Sequence, residues 1–155
     1  MPRLFDSIAA RISAAAAVAM LAGSAHAQPL TLQTISAAQA LKIVNAAIAK
    51  CSQPGPMITI SVAVVDQAGR PRLMLAADTA APHNFELARR KAYTARTFRM
   101  PSSEWAKTSS GATPQAAQRQ MTDVIALGGG VPILVKGQAI GGVGISGAMG
   151  GQVAE

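Results

Sequence analysis

Residues 128–147, GGGVPILVKGQAIGGVGISG, gather eight of the chain's fourteen glycines around two short β-branched runs that reverse at Lys136-Gly137. The pattern predicts an antiparallel hairpin. Glycine inside a strand gives up about 0.5–1 kcal/mol relative to alanine and offers no side chain to pack. Gly141, Gly142 and Gly144 therefore make sense where another backbone, a packed helix or a flat ligand must come close. Any fold for this chain has to bring something against that bare strand.

The amino-terminal segment sets an address. Arg3 and Arg11 precede an apolar run from Ile12 to Leu21, followed by Ala25-His26-Ala27, the order of a cleavable export signal. Residues 1–27 are expected to be removed after Ala27, leaving a single domain over 28–155, periplasmic or secreted. The run is shorter than the roughly 20 apolar residues that span a bilayer, and Leu21-Ala22-Gly23-Ser24 places serine where a lipid anchor needs cysteine. No stable membrane insertion is expected. Cys51 is the only cysteine, so no intramolecular disulfide can form, and stability must come from packing or oligomerisation. Its place on the apolar face of a helix reads as a small buried hydrophobe.

Past residue 27 the chain carries 12 Lys/Arg against 6 Asp/Glu, with aromatics at 3% of the whole sequence. Basic residues without interleaved aromatics do not make a nucleic-acid surface. The positive balance suits anionic small molecules or an acidic surface.

Ser36 and Gln39 form a capping-box pair, and Ala37, Ala40, Leu41, Val44, Ala47, Ile48 and Cys51 follow at helical spacing. Pro54-Gly55-Pro56 turns the chain. Met57 to Val65 alternates as a strand, Asp66 to Gly69 supplies a turn, and Arg72 to Ala77 returns. Pro82 to Arg99 reads as a helix with Asn84 as cap and Pro101 as stop. Thr113-Pro114 opens a further helix with Ala117, Met121, Val124 and Ile125 on one side and Gly128 at its end. Helices segregated from hairpins predict an α+β domain with an antiparallel sheet.

On the helix from Asn84 to Arg99, a step of about 100° per residue collects Leu87, Ala88, Ala92, Ala95 and Phe98 on one arc, with Lys91 inside it. A lysine there either snorkels, laying its methylenes on apolar surface, or faces a ligand. Arg89, Arg90, Arg96 and Arg99 lie elsewhere, mostly as a solvated face, with one or two able to meet ligand carboxylates. His83 is the one histidine beyond the signal and is a candidate metal ligand or general acid/base. Asp66, Asp78 and Glu86 lack zinc-site spacing. A haem needs one axial donor, apolar contact and cations for its propionates; His83, Met100, Met149 and Tyr93 are the donors available. Ser146 stands in Gly-x-Ser-Gly, not the Gly-x-Ser-x-Gly of a nucleophile elbow, which disfavours a hydrolase.

Four ordered segments carry a resemblance: Val62 to Gly69 (VAVVDQAG), Asp78-Thr79-Ala80, Ala88 to Ala95 (ARRKAYTA), and Gly129 to Ile133 continuing through Gly141 to Gly147. Together they resemble the GlcG/HbpS-like family, related to the carboxy-terminal domain of PduO-type proteins. The resemblance implies an α+β domain with a five-stranded antiparallel sheet flanked by helices in profilin-like layers, homo-oligomerisation, and haem binding in some members. The candidate ligand site, for haem or an anionic small molecule, comprises His83, Lys91, Asp78, Thr94, Gly129, Gly130 and Ser146, with His83 a candidate axial haem donor. Two departures stand out. The family continues past Gly147 through an acidic pair into a final helix, where this sequence reads on to Gln152-Val153-Ala154-Glu155; either that helix is absent or the sequence is incomplete. Gly69 is followed by Arg70 where relatives often have histidine.

The leading expectation is an exported haem-binding or haem-sequestering accessory protein. The rivals are a small enzyme acting on an anionic metabolite, with Lys91 as cation or Schiff-base donor and Glu86 or His83 moving protons, and an oligomeric binding module without catalysis.

Overall fold

A computed structural model describes residues 29–51 and 59–148. The chain divides into Met1–Thr31 and Leu32–Glu155, and every element below lies in the second unit. The expected export signal, the Pro54-Gly55-Pro56 turn, Met149 and the carboxy-terminal residues fall outside the described residues.

The first helix, α1, runs Ala37–Cys51. Its capping box forms as expected: the Ser36 N–H donates to Gln39 Oε1 at 3.0 Å and the Gln39 N–H donates to Ser36 Oγ at 3.2 Å. Strands β1 (Ser61–Val65) and β2 (Pro71–Ala76) make the first antiparallel hairpin. Helix α2 covers Pro82–Phe98, a short α3 covers Ser102–Thr108, and a 3-10 turn covers Ala116–Gln120. Strands β3 (Gly130–Val135) and β4 (Gln138–Ser146) close the fold. Their reversal at Lys136 (φ 50°) and Gly137 (φ 78°) puts both turn residues in the left-handed region that a tight hairpin requires.

The sheet corrects one expectation. Among the described residues it has four strands, not five, in the order β2-β1-β4-β3 with every pair antiparallel. The four extended runs are all used, and the two inner strands of the hairpins pair with each other. Pro132, in edge strand β3, offers no N–H to a further neighbour.

Alternation along β1 builds two cores. Val62 and Val64 face α1 and pack with Ile35, Ala40, Val44, Ile60 and Ile140. Ala63 and Val65 face α2 and pack with Ala88 and Ala92. β1 is therefore buried along its whole length, as a strand covered by helices on both faces must be.

Three further expectations give way to tertiary contacts. Asn84 does not cap α2: Ala81 stands at the cap, Pro82 fills the first turn, and Asn84 is buried. Pro101 ends α2 but also opens α3. The helix expected over 113–128 shrinks to the 3-10 turn because side chains of α2 take its backbone. Arg90 Nη2 donates to Val124 O at 2.6 Å, and the Ile125 N–H donates to Thr94 Oγ1 at 2.9 Å. Val124 is nevertheless fully buried.

Candidate functional site

The bare strand is covered by the backbone of α2. A Cβ added at Gly144 would overlap the carbonyl oxygen of Ala88, one at Gly142 that of Ala92, and one at Gly130 that of Lys91. These are main-chain atoms of a helix and cannot swing aside, so glycine is the residue that fits. Ala88, Ala92 and Ala95, all fully buried, complete the close approach from the helix side. The seam is filled by protein, leaving no room there for a flat ligand.

Lys91 leaves that seam beside the end of β4. Its Nζ donates to Ile145 O at 3.1 Å and to Ser146 Oγ at 3.5 Å. The Ser146 hydroxyl in turn donates to the buried Asn84 Oδ1 at 3.1 Å. Gly129, at φ 105°, lies over the ammonium: a Cβ there would stand 3.3 Å from Nζ and 2.8 Å from Ile145 O. None of these partners is a carboxylate, and burial pulls the Lys91 ammonium below the usual lysine range. Lys91 is thus a half-buried cation docked on a strand-end carbonyl.

Other side chains hold the same corner. Ser102 Oγ accepts the Gly130 N–H at 2.8 Å, and Thr59 Oγ1 donates to Gly147 O at 3.0 Å. Thr94 is fully buried, donates to Arg90 O at 2.8 Å and accepts the Ile125 N–H. Trp105, also buried, stacks on Phe98 with centroids 3.6 Å apart.

The expected site residues therefore separate. Lys91, Gly129, Gly130 and Ser146 come together, while Thr94 anchors the neighbouring loop. His83 is exposed on the first turn of α2, eight residues from Lys91 and so about 12 Å away along the axis. Asp78 is exposed in the connection from β2 to α2. Asn84 and Ser102 are the residues that sequence reasoning missed. Asn84 lies seven residues before Lys91, two helical turns on one face, a usable signal; Ser102 has none, since its partner is 28 positions away.

The donors for a haem iron also separate. His83 is exposed. The Tyr93 ring is packed on Gly69, where a Cβ would come within 2.8 Å of it, and Met100 is half-buried. Among the described residues no cluster of three or more His, Cys, Asp or Glu is placed to hold a metal ion, and no helix is long and apolar enough to cross a membrane. Glu86, a proton carrier in the enzyme reading, is held by Arg89 Nε and Nη2 at 2.9 and 2.7 Å, with Asp123 on the same guanidinium at 2.6 Å. The Arg89 hydrogen bond keeps the Glu86 carboxyl below its ordinary range, the wrong direction for a base poised near neutrality.

Comparison with known proteins gives the same answer from sequence and fold. A 15.0 kDa protein of Citrobacter freundii from the dhaT-dhaS intergenic region is 32% identical over 121 residues, 75% of this chain and 82% of that protein. A double-mutant form of Streptomyces reticuli HbpS superposes with a TM-score of 0.69 at 32% identity, covering 82% of each chain. A PduOC–haem complex superposes with a TM-score of 0.68 at 25% identity, covering 76% of this chain and 86% of that one. The family model described as haem degrading protein HbpS-like matches residues 35–154, and the chain belongs to the HbpS-like family.

Proposed function

We propose that this chain is an exported haem-binding protein that takes haem on its outer surface, with His83 as the axial ligand. The observation that carries the reading is the likeness to a solved haem complex across three quarters of the chain, within a family described by haem. The α2 seam is filled by protein and His83 is exposed at the start of that helix, which supports a site outside the seam. Bound haem supplies an iron centre that accepts an imidazole nitrogen. The side chain of His83 is the group that holds it, and an exposed imidazole is free to offer either nitrogen. Export rests on the Arg3 to Ala27 segment. Self-association belongs to the same reading, supported by Leu75, Leu134 and Val135, which are exposed on the two edge strands.

Titration of the full chain with hemin tests the proposal. A saturable Soret shift that weakens at least tenfold in His83→Ala, a loss of about 1.4 kcal/mol or more, is expected. No saturation in the parent protein, or equal affinity in the variant, overturns it. Adding reductant in air, beside hemin without protein, then separates holding from degradation: a Soret band that persists fits sequestration, and one that bleaches faster than hemin alone fits an enzyme.

A further inference from the structure

At the opposite end of α2 from His83, three segments line two adjoining, solvent-open cavities of about 140 and 220 Å³. Gln67, in the β1–β2 turn, and Arg96 line both; Arg99 and the hairpin residues Gly137, Gln138 and Ala139 line the first, and Tyr93 and Thr97 the second. Arg96 lies in the last turn of α2 and Arg99 closes the helix, and both line the first cavity. Neither has an ion pair or hydrogen-bonding carboxylate among the described residues, and Arg96 Nε is buried without a partner. The nearest acid, Asp66, is already engaged: Oδ1 accepts the Ala68 and Arg70 N–H groups at 2.8 and 2.9 Å, and Oδ2 accepts Arg70 Nε at 3.2 Å. The Arg96 stem is fixed where it crosses Gly142, whose added Cβ would lie 3.1 Å from Arg96 Cβ.

Arginine near a helix carboxy terminus complements the helix dipole, which alone would account for two basic side chains. It does not account for Arg99 at φ 58°. That left-handed closing position ordinarily takes glycine, and a non-glycine there is a strained choice that keeps a guanidinium at the cavity mouth. Burial and the Arg99 charge act against the Arg96 guanidinium and outweigh the favourable charge of Asp66. Asp66 is paired with Arg70 and bonds neither Arg96 nor Arg99, so these two like charges, one of them partly desolvated, share no carboxylate contact of their own.

We propose that Arg96 and Arg99, with Gln67 and the Gly137–Ala139 turn, form a binding site for a small oxyanion, a carboxylate or phosphate group. The guanidinium fork matches both by paired N–H donors. The cavity that both arginines line, about 140 Å³, falls below the roughly 300 Å³ at which drug-sized ligand pockets begin, so the site holds a small anion or the anionic end of a larger one. The proposal does not rest on haem binding.

Amide NMR titration of the full chain with inorganic phosphate, and separately with acetate, at constant ionic strength tests it. Saturable shifts centred on Gln67, Thr97 and Gly137–Ala139 with at least one of the two anions are expected, the tighter one naming the class. Arg96→Gln and Arg99→Gly should each weaken binding by about tenfold or more, the loss of one charge-assisted contact, while Lys42→Gln on α1 leaves it unchanged. Arg99→Gly also keeps the test open should Arg96→Gln fold poorly, because glycine suits the left-handed backbone. No saturation with either anion, shifts centred elsewhere, or equal weakening in Lys42→Gln overturns the site.

Discussion

Replacing Gly144 with alanine measures how closely α2 is seated on the sheet. The new methyl would overlap Ala88 O and lie 2.6 Å from Ala92 N and 3.1 Å from Lys91 Cβ. The first two are main-chain atoms in the middle of a 17-residue helix, so relief requires the helix to lift or β4 to bend. Overpacking of this kind costs about 3 kcal/mol. Alanine recovers about 0.5–1 kcal/mol of backbone entropy in a strand, leaving a net loss of about 2–2.5 kcal/mol. For a domain of about 120 residues, 1 kcal/mol corresponds to about 4 °C in Tm, so the variant should melt about 8–10 °C lower. Urea unfolding and thermal melting by circular dichroism read the change. Gly111→Ala, where an added Cβ meets nothing within 4 Å but the backbone sits at φ 64°, isolates the conformational penalty alone and should lose only about 1 kcal/mol. A Gly144→Ala protein as stable as the parent would refute the close seam and reopen the strand as a ligand face.

Ser102→Ala leaves the buried Gly130 N–H without its acceptor and should cost about 1–3 kcal/mol in urea unfolding; an unchanged midpoint means that another group takes the bond. Lys91 has a depressed pKa in the folded state, so between its folded value and the ordinary lysine value of about 10.4 the unfolded chain binds the extra proton and stability rises with pH. Lys91→Met should flatten that rise in melts taken across the alkaline range, and an identical slope in both proteins contradicts the burial described for Lys91. Arg99→Gly should raise stability by about 1 kcal/mol through relief of its left-handed backbone, seen as an upward shift in Tm; a downward shift assigns Arg99 a structural contact instead.

Local patterns carried the legible part of this fold. The capping box, the hairpin reversal at Lys136-Gly137 and the apolar arc of α2 are properties of a few consecutive residues, and each appears where spacing puts it. The glycine strand was legible as a place of close approach, yet whether a helix or a ligand fills it depends on how α2 crosses the sheet, which no local pattern encodes. The segment 113–128 has the apolar spacing of a helix but loses it to Arg90 and Thr94, more than 30 positions away. Asn84 has the chemistry of a cap and serves as an acceptor for Ser146, 62 positions on. Lys91 stood out because its charge breaks an apolar face; its docking on Ile145 O follows from β4 ending beside it. The fifth strand came from resemblance alone, and no extended run among the described residues supplies it.

The claim that haem is taken outside the α2 seam, at His83, is tested most directly by paramagnetic mapping. Ferric haem added to the isotopically labelled full chain should broaden amide signals around His83 and Phe85 at the start of α2, while Gly142 and Gly144 in the seam keep their line widths and positions. Broadening centred on Gly142 and Gly144, with α2 signals displaced along the helix, would contradict the account and place the ligand against the glycine strand.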